Sequence, residues 1–282
     1  EQGQGPTVVL IHGNGVTSHD WVLSGLFDEL AQRHRVIAFD RPGFGYSERP
    51  RGRPWTAPHQ TQLLLEALEE LADGAVLIAH SWGTLVALQA ALAEPQRVTG
   101  LVLMSGYYFP TPRLDTPLLS GPAIPVVGDV MRFTVSPLVG RAMTPLLMKQ
   151  IFSPAEVPAH FKAGFQSDMA LRPSQLRATA ADTAMMPLEA AKLAPRLAEI
   201  ATPALILTGD GDKIVSFKHQ SRRLARELAG GQIQVIEGAG HMLHHTAPDE
   251  VAAEIATFLT EIGETDLPPL ADALTAKEPI LA

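Results

Sequence analysis

Six short apolar runs punctuate the chain: Thr7 to His12, Arg35 to Asp40, Ala75 to His80, Val98 to Ser105, Ala204 to Gly209 and Gln232 to Ile236. Most are continuous rather than alternating, the pattern of strands covered on both faces. Between them, apolar positions recur with helical spacing over Leu23 to Ala31, His59 to Leu71, Leu85 to Glu94, Lys218 to Leu228 and Asp249 to Ile262. Buried strands alternating with helices imply right-handed crossovers, hence an α/β fold with a mostly parallel central sheet flanked by helices. Reactive groups are then expected at the carboxyl ends of the strands.

The alternation stops between Tyr107 and Pro203. This stretch has no strand-like run and many prolines, among them Pro110, Pro112, Pro117, Pro122, Pro125, Pro137 and Pro145. It is too apolar for a solvated loop, with Phe133, Leu138, Leu146, Leu147, Phe152 and Phe161 among its large side chains. The expected organisation is therefore a core of residues 1–106 and 204–263, an inserted helical cap at 107–203, and a tail at 264–282 packed on the body or on a second subunit. Most apolar residues of the cap should pack it onto the body. A few should face a ligand, and methionine-rich, aromatic walls suit apolar ligands of variable shape.

Composition narrows the function classes. The 282 residues can bury a sizeable core in one large domain, and 46% hydrophobic with 18% charged residues is ordinary for a soluble globular protein. No segment approaches the roughly 18 uninterrupted apolar residues of a membrane span. A net charge of -8 without a Lys/Arg cluster argues against a nucleic-acid partner and leaves a small molecule as the expected one, bound by a monomer or homodimer. The lack of cysteine removes disulfides, thiol nucleophiles and thiolate metal sites. It leaves the compartment open between a cytoplasmic location and one reached through a leader or anchor ahead of Glu1.

The candidate chemistry centres on Ser81. It ends an apolar run and is flanked two residues either side by Ala79 and Gly83, with a helical stretch following. A strand turning sharply into a helix forces the serine at the apex into strained geometry and demands small flanking residues. Alone, such a match is common, and a serine before an alanine-rich helix is more often a cap. Partners downstream raise it. Asp212 follows Gly211 just past a strand end and is succeeded by Lys-Ile-Val, a return to packing that would hold a carboxylate still; Asp210 is its rival. His241 follows Gly238-Ala239-Gly240, with His244 and His245 as competitors. Serine needs a base, and the base an orienting acid. Three histidines in five residues lack the spacing of a metal motif, so no metal and no cofactor is expected. Upstream, His12-Gly13-Asn14-Gly15 ends the first strand run. The backbone N–H groups of Asn14 and of Trp82, the residue after the serine, are the candidate oxyanion donors. Trp82 and Tyr107 are the candidate substrate-lining residues.

Taken together, His12-Gly13, the segment Asp40 to Ser47, Ala79-His80-Ser81-Trp82-Gly83, Gly209 with Asp212, and Gly240-His241 resemble the α/β-hydrolase superfamily over about Thr7 to Ile262. The resemblance implies a structural rather than catalytic Asp40 and a triad of Ser81, Asp212 and His241. The chain departs from the pattern in three ways. Ala79 replaces the commoner glycine. The family's opening strand pair, usually just before Gly5, has no counterpart, which implies an unusual sheet edge or a chain that starts inside the fold. Asn14 with Trp82 resembles the halide-holding pair of haloalkane dehalogenases, whose nucleophile is an aspartate. A side-chain N–H of Trp82 beside Asn14 could hold a small anion, so weak competitive inhibition by chloride is expected. With serine as nucleophile the expected activity is hydrolysis of carboxylic esters of small to medium apolar molecules. Carbon–carbon bond hydrolysis, cofactor-free haloperoxidase or peracid chemistry, and a non-catalytic ligand-binding protein on the same fold are the alternatives.

Overall fold

The computed structural model describes residues 1–112 and 116–263. Each apolar run forms a strand: β1 (Thr7–Ile11), β2 (Arg35–Phe39), β3 (Ala75–His80), β4 (Val98–Met104), β5 (Ala204–Gly209) and β6 (Gly231–Ile236). All pair in parallel, in the order β2-β1-β3-β4-β5-β6. Continuous apolar character follows from burial on two sides. Val9, Ile11, Leu77, Leu101 and Ile206 point into one core, and Val8, Leu10, Val76, Val102 and Leu205 into the other.

Helices fill both faces. The first core packs on α3 (Ala57–Leu71) and α4 (Gly83–Ala93), the second on α1 (His19–Leu23) and α2 (Leu26–Leu30), with α13 (Pro248–Glu261) closing it. The single helix expected over Leu23 to Ala31 is in fact α1 and α2, broken at Gly25, whose φ of 82° ends one helix and starts the next. Helix α4 is almost wholly apolar and nearly all of it is buried, as a helix covered on every side must be. The edge strand β2 takes an antiparallel bridge from Gln2, which exchanges two hydrogen bonds with Val36 (2.8 and 3.0 Å).

Between β4 and β5 the chain passes through α5 (Thr116–Leu119), α6 (Val127–Phe133), α7 (Val135–Phe152), α8 (Ala159–Gly164), α9 (Ser167–Ala170) and α10 (Pro173–Leu193). Pro145 lies in the interior of α7 and Pro187 in that of α10. Packing onto the body is narrower than the apolar content suggests: Phe152 and Phe161 are buried, whereas Phe133, Leu138, Leu146 and Leu147 face outward. After β5 come α11 (Ser221–Glu227), β6, α12 (Leu243–Thr246) and α13. The expected tail at 264–282 lies outside the described residues.

Candidate active site

The turn from β3 into α4 forces its residue into an uncommon backbone state. Ser81 has φ 51°, left-handed for a non-glycine residue, and its N–H donates to the carbonyl of Met104 (2.8 Å). A Cβ on Gly83 would meet the carbonyl oxygens of Ile11 and His12 at 2.6 and 2.7 Å, so only glycine lets α4 begin this close to the end of β1. At Ala79 the methyl is tolerated: the residue is fully buried in register with Ile11 and Leu103.

Loops after β5 and β6 bring the other two members to Ser81. His241 Nε2 lies 3.0 Å from Ser81 Oγ, and His241 Nδ1 lies 2.8 Å from Asp212 Oδ2. A carboxylate accepts only, so Nδ1 carries the proton and Nε2 is left to accept from the serine hydroxyl. The other oxygen of Asp212 accepts from the N–H groups of Ile214 (2.8 Å) and Val215 (3.0 Å). Burial works against ionising this carboxyl, but His241 and the two backbone donors outweigh it and hold its pKa below the usual range. Asp210 does something else. It is exposed and accepts from Gly238 N–H (2.8 Å), bracing the turn. Asp40 is likewise a loop brace, accepting from Ser18 and Tyr46 N–H.

The loop after β1 runs against the nucleophile. A Cβ on Gly13 would meet His80 Nδ1 at 2.8 Å and Ser81 Cβ at 3.2 Å. His12 holds this loop from within: its Nδ1 donates to Gly13 carbonyl (2.7 Å) and its Nε2 accepts from Arg41 N–H (2.9 Å). Burial and the neighbouring Arg41 push its pKa down to about 3, so the ring stays neutral. The Arg41 side chain adds bonds to the carbonyls of His12 and Gly13 (2.9 Å each). The backbone N–H groups of Asn14 and Trp82 donate to no other group among the described residues.

One expectation about side chains is corrected. Trp82 Nε1 donates to the carbonyl of Asp182 on α10 (3.0 Å), and Asn14 Nδ2 donates to Thr179 carbonyl (3.1 Å) and Thr183 Oγ1 (2.9 Å) on the same helix. The pair that resembled a halide clamp is spent on packing α10, and the expectation of chloride binding goes with it. Trp82 is 0% exposed, its ring under the Arg41 guanidinium, and so lines no open space. Tyr107 is also buried, and its hydroxyl is engaged by Thr111. Both side chains are packed away from solvent.

Behind the triad lies a cluster that sequence reasoning missed. Buried Asp20 accepts from His244 Nε2 (2.8 Å) and His245 Nε2 (2.9 Å). Burial opposes its ionisation, yet the two imidazoles hold its carboxyl well below the usual range. The His80 ring packs between those of His241 and His244, and its Nε2–H donates to the carbonyl of His241 (3.0 Å). Burial and the adjacent imidazoles keep His80 neutral. Asp20, His80 and His244 place potential ligand atoms within 4.8 Å of one another. Mutual hydrogen bonds and the tie to His241 already occupy the carboxylate and both Nε2 atoms, which makes this a hydrogen-bonded polar cluster within the core, while His80 Nδ1 and His244 Nδ1 have no partner among the described residues. The available signal was His-Met-Leu-His-His, polar residues at positions where helix packing calls for apolar ones.

A parallel sheet, a strained serine at the β3–α4 turn, and a histidine and carboxylate delivered from the next strand ends define an α/β hydrolase. The chain belongs to the alpha/beta hydrolase family, whose family model matches residues 8–254. Haloalkane dehalogenase 2 of Mycobacterium tuberculosis is 26% identical over 90% of this chain and 88% of its own length. The 2-hydroxymuconate semialdehyde hydrolase of Pseudomonas putida is 26% identical over 93% and 89%. Among solved structures, a thermophilic esterase from Thermogutta terrifontis superposes with a TM-score of 0.72 at 24% identity, covering 93% of this chain and 92% of that one.

Proposed function

We propose that this hydrolase is a serine hydrolase acting on carboxylic esters of small to medium apolar molecules through an acyl-enzyme. The observation that carries the reading is the unbroken line from Asp212 Oδ2 to His241 to Ser81 Oγ, at 2.8 and 3.0 Å. As Ser81 Oγ attacks the ester carbonyl carbon, its proton passes to His241 Nε2, and ionised Asp212 stabilises the imidazolium. The oxyanion forms beside the free N–H groups of Asn14 and Trp82, the second of which also heads the α4 dipole. Collapse expels the alkoxide, which takes the proton from His241. Water, deprotonated by the same imidazole, then attacks the acyl-enzyme and releases the acid. No metal or cofactor enters these steps. Residues 107–203 act as a cap domain over this site.

The dehalogenase relative does not carry over, because a serine cannot form the alkyl ester made from a carboxylate nucleophile, and the halide-type donors are occupied. The ring-cleavage hydrolase relative supports a second reading, carbon–carbon bond hydrolysis with the same three residues. A panel of aryl esters, a vinylogous diketone, and acetate with peroxide separates ester, carbon–carbon and peracid chemistry. The intact triad speaks against a non-catalytic binding protein. The decisive experiment is labelling with an aryl phosphonate: the protein should be labelled and Ser81→Ala spared. Equal labelling of both would overturn the assignment.

A further inference from the structure

A cleft of about 280 Å³, counted out to its open mouth, lies between the body and the inserted helices. Gly15 and Val16 of the loop after β1 and Leu23 of α1 form one wall, and Phe165, Ala170 and Gln175 form the other. Gln175 is 1% exposed, and its Oε1 accepts from Gly45 N–H (3.1 Å). A backbone N–H only donates, so that bond fixes the orientation of the amide and leaves the Nε2 hydrogens over. Nε2 is buried and has no acceptor among the described residues. Buried donors without a partner are rare in folded proteins, and this one belongs to a side chain that lines a cleft. The pairing it lacks is an acceptor that arrives from outside the chain.

Two links place the cleft beside the nucleophile. Gly15 directly follows Asn14, whose N–H is a proposed oxyanion donor, so the wall starts one Cα step of about 3.8 Å from that residue. Gln175 stands on the face of α10 that holds Asn14: Thr179 and Thr183, which accept from Asn14 Nδ2, follow it at successive turns. Residues four apart share a helix face, and one such step is about 6 Å along the axis. In acyl transfer the leaving alkoxide lies against His241 Nε2, which gives it a proton. The cleft walls come from the Asn14 loop, α1 and the inserted helices rather than from the His241 loop, so the cleft takes the acyl chain. That chain is neutral. Asp20 also lines the cleft, ionised and with both oxygens held by His244 and His245, so a carboxylate placed there would meet a like charge. We propose that Gln175 Nε2 donates to a carbonyl or ether oxygen on the acyl chain, which makes the substrates esters of short oxo or alkoxy acids. This rests on the acyl-enzyme reading and specifies its substrate class.

The test compares 4-nitrophenyl esters of 4-oxopentanoic and 5-oxohexanoic acid with those of 4-methylpentanoic and 5-methylhexanoic acid, which match them in shape and lack the acceptor. The two positions bracket the reach of one helical turn. After division by each ester's own rate with hydroxide, the oxo ester should have a kcat/KM at least about 10-fold above its methyl match at one position. Gln175→Glu keeps an acceptor for Gly45 N–H and removes the donor, and Gln175→Met removes both; in each the ratio should fall to about one or below. Both esters are read on one preparation, so the folded fraction cancels from the ratio. A ratio near one in the parent, or a preference that survives both substitutions, overturns the proposal. Calorimetric titration of Ser81→Ala with the same esters separates this outcome from the catalytic reading. Tighter binding of the oxo ester, lost on adding Gln175→Met, with no turnover by the parent would remove the esterase assignment and uphold the cleft. Turnover of all four esters at matched rates would do the reverse. If the parent turns over none and Ser81→Ala binds none, the proposal fails.

Discussion

Asp182 on α10 is the point at which the inserted helices grip the catalytic body, and its removal gives the sharpest test of that grip. Its side chain is 0% exposed and accepts from Arg41 Nη1 (2.6 Å) and Arg49 Nη1 (2.9 Å), themselves 3% and 5% exposed. Asp182→Ala leaves two buried guanidinium groups without their carboxylate. Arg41 keeps carbonyl acceptors at His12 and Gly13 and the amide oxygen of Gln60, and Arg49 keeps the carbonyl of Pro42, so hydrogen bonding is partly preserved and charge compensation is not. Breaking a buried ion pair from one side costs about 3–5 kcal/mol. At roughly 2–4 °C per kcal/mol for a chain of this size, the melting temperature should fall by about 10 °C. Asp168→Ala removes a pair whose side chains are 73% and 88% exposed and should leave the melting temperature where it was. Thermal and urea unfolding of the three proteins measure this directly. A loss below about 1 kcal/mol for Asp182→Ala would refute the view that this network carries the interface. The same variant should also lower the proposed esterase activity, because α10 holds the Trp82 and Asn14 side chains beside the proposed oxyanion donors.

Other outcomes follow from the same geometry. Asp212→Asn should lower kcat by about 10⁴ through loss of the correct tautomer, while Asp210→Asn keeps an oxygen for Gly238 and should stay near the parent rate; equal losses in the two would contradict the division of roles seen here. His80→Leu removes the donor to His241 carbonyl and should reduce kcat more than it raises KM, whereas His80→Gln, which restores an N–H at similar reach, should recover much of the rate. Stability should decline with acid. His12 titrates at about 3 when folded, and the unfolded chain protonates its histidine near 6.5. Stability is thus complete above about pH 6.5 and is lost progressively as the pH falls toward about 3, by at most ~1.4 kcal/mol per pH unit for this group. His80 and His244 shift the same way, and the depressed carboxyls of Asp20 and Asp212 add to the loss below about pH 4. A melting temperature that is flat from about pH 7 to about pH 4 would contradict this.

Much of the fold was legible because burial on both faces of a parallel sheet is a local property of sequence. The central strands β1, β3, β4 and β5 are buried almost throughout and read as apolar, whereas the edge strand β6 carries Gln232 and Gln234; each expected strand ends within a residue or two of the observed one. The break at Gly25 was not legible, since the apolar spacing continues across it. The geometry of the candidate site was legible where it rests on short-range constraints: the small residues around Ser81, the glycines before Asp212 and His241, and the order in which strand ends deliver them.

Tertiary structure decided everything that depends on a distant partner. Asp210 and Asp212 share one turn, and only the loop after β6, arriving 29 residues later, determines which carboxylate meets His241. Trp82 and Asn14 looked available to a ligand until α10, about a hundred residues on for the tryptophan, took their side-chain donors. Asp20 and His244 are 224 residues apart in the chain, and the buried carboxylate finds its partners only where the fold brings His244 and His245 to it. Helix α7 is apolar in sequence either way, and only packing shows that its small face turns inward. A residue's type and neighbours along the chain decide whether it is buried in a strand or bent at an elbow. Which hydrogen bonds and charges are satisfied depends on groups the fold brings in from elsewhere, and sequence periodicity carries no record of them.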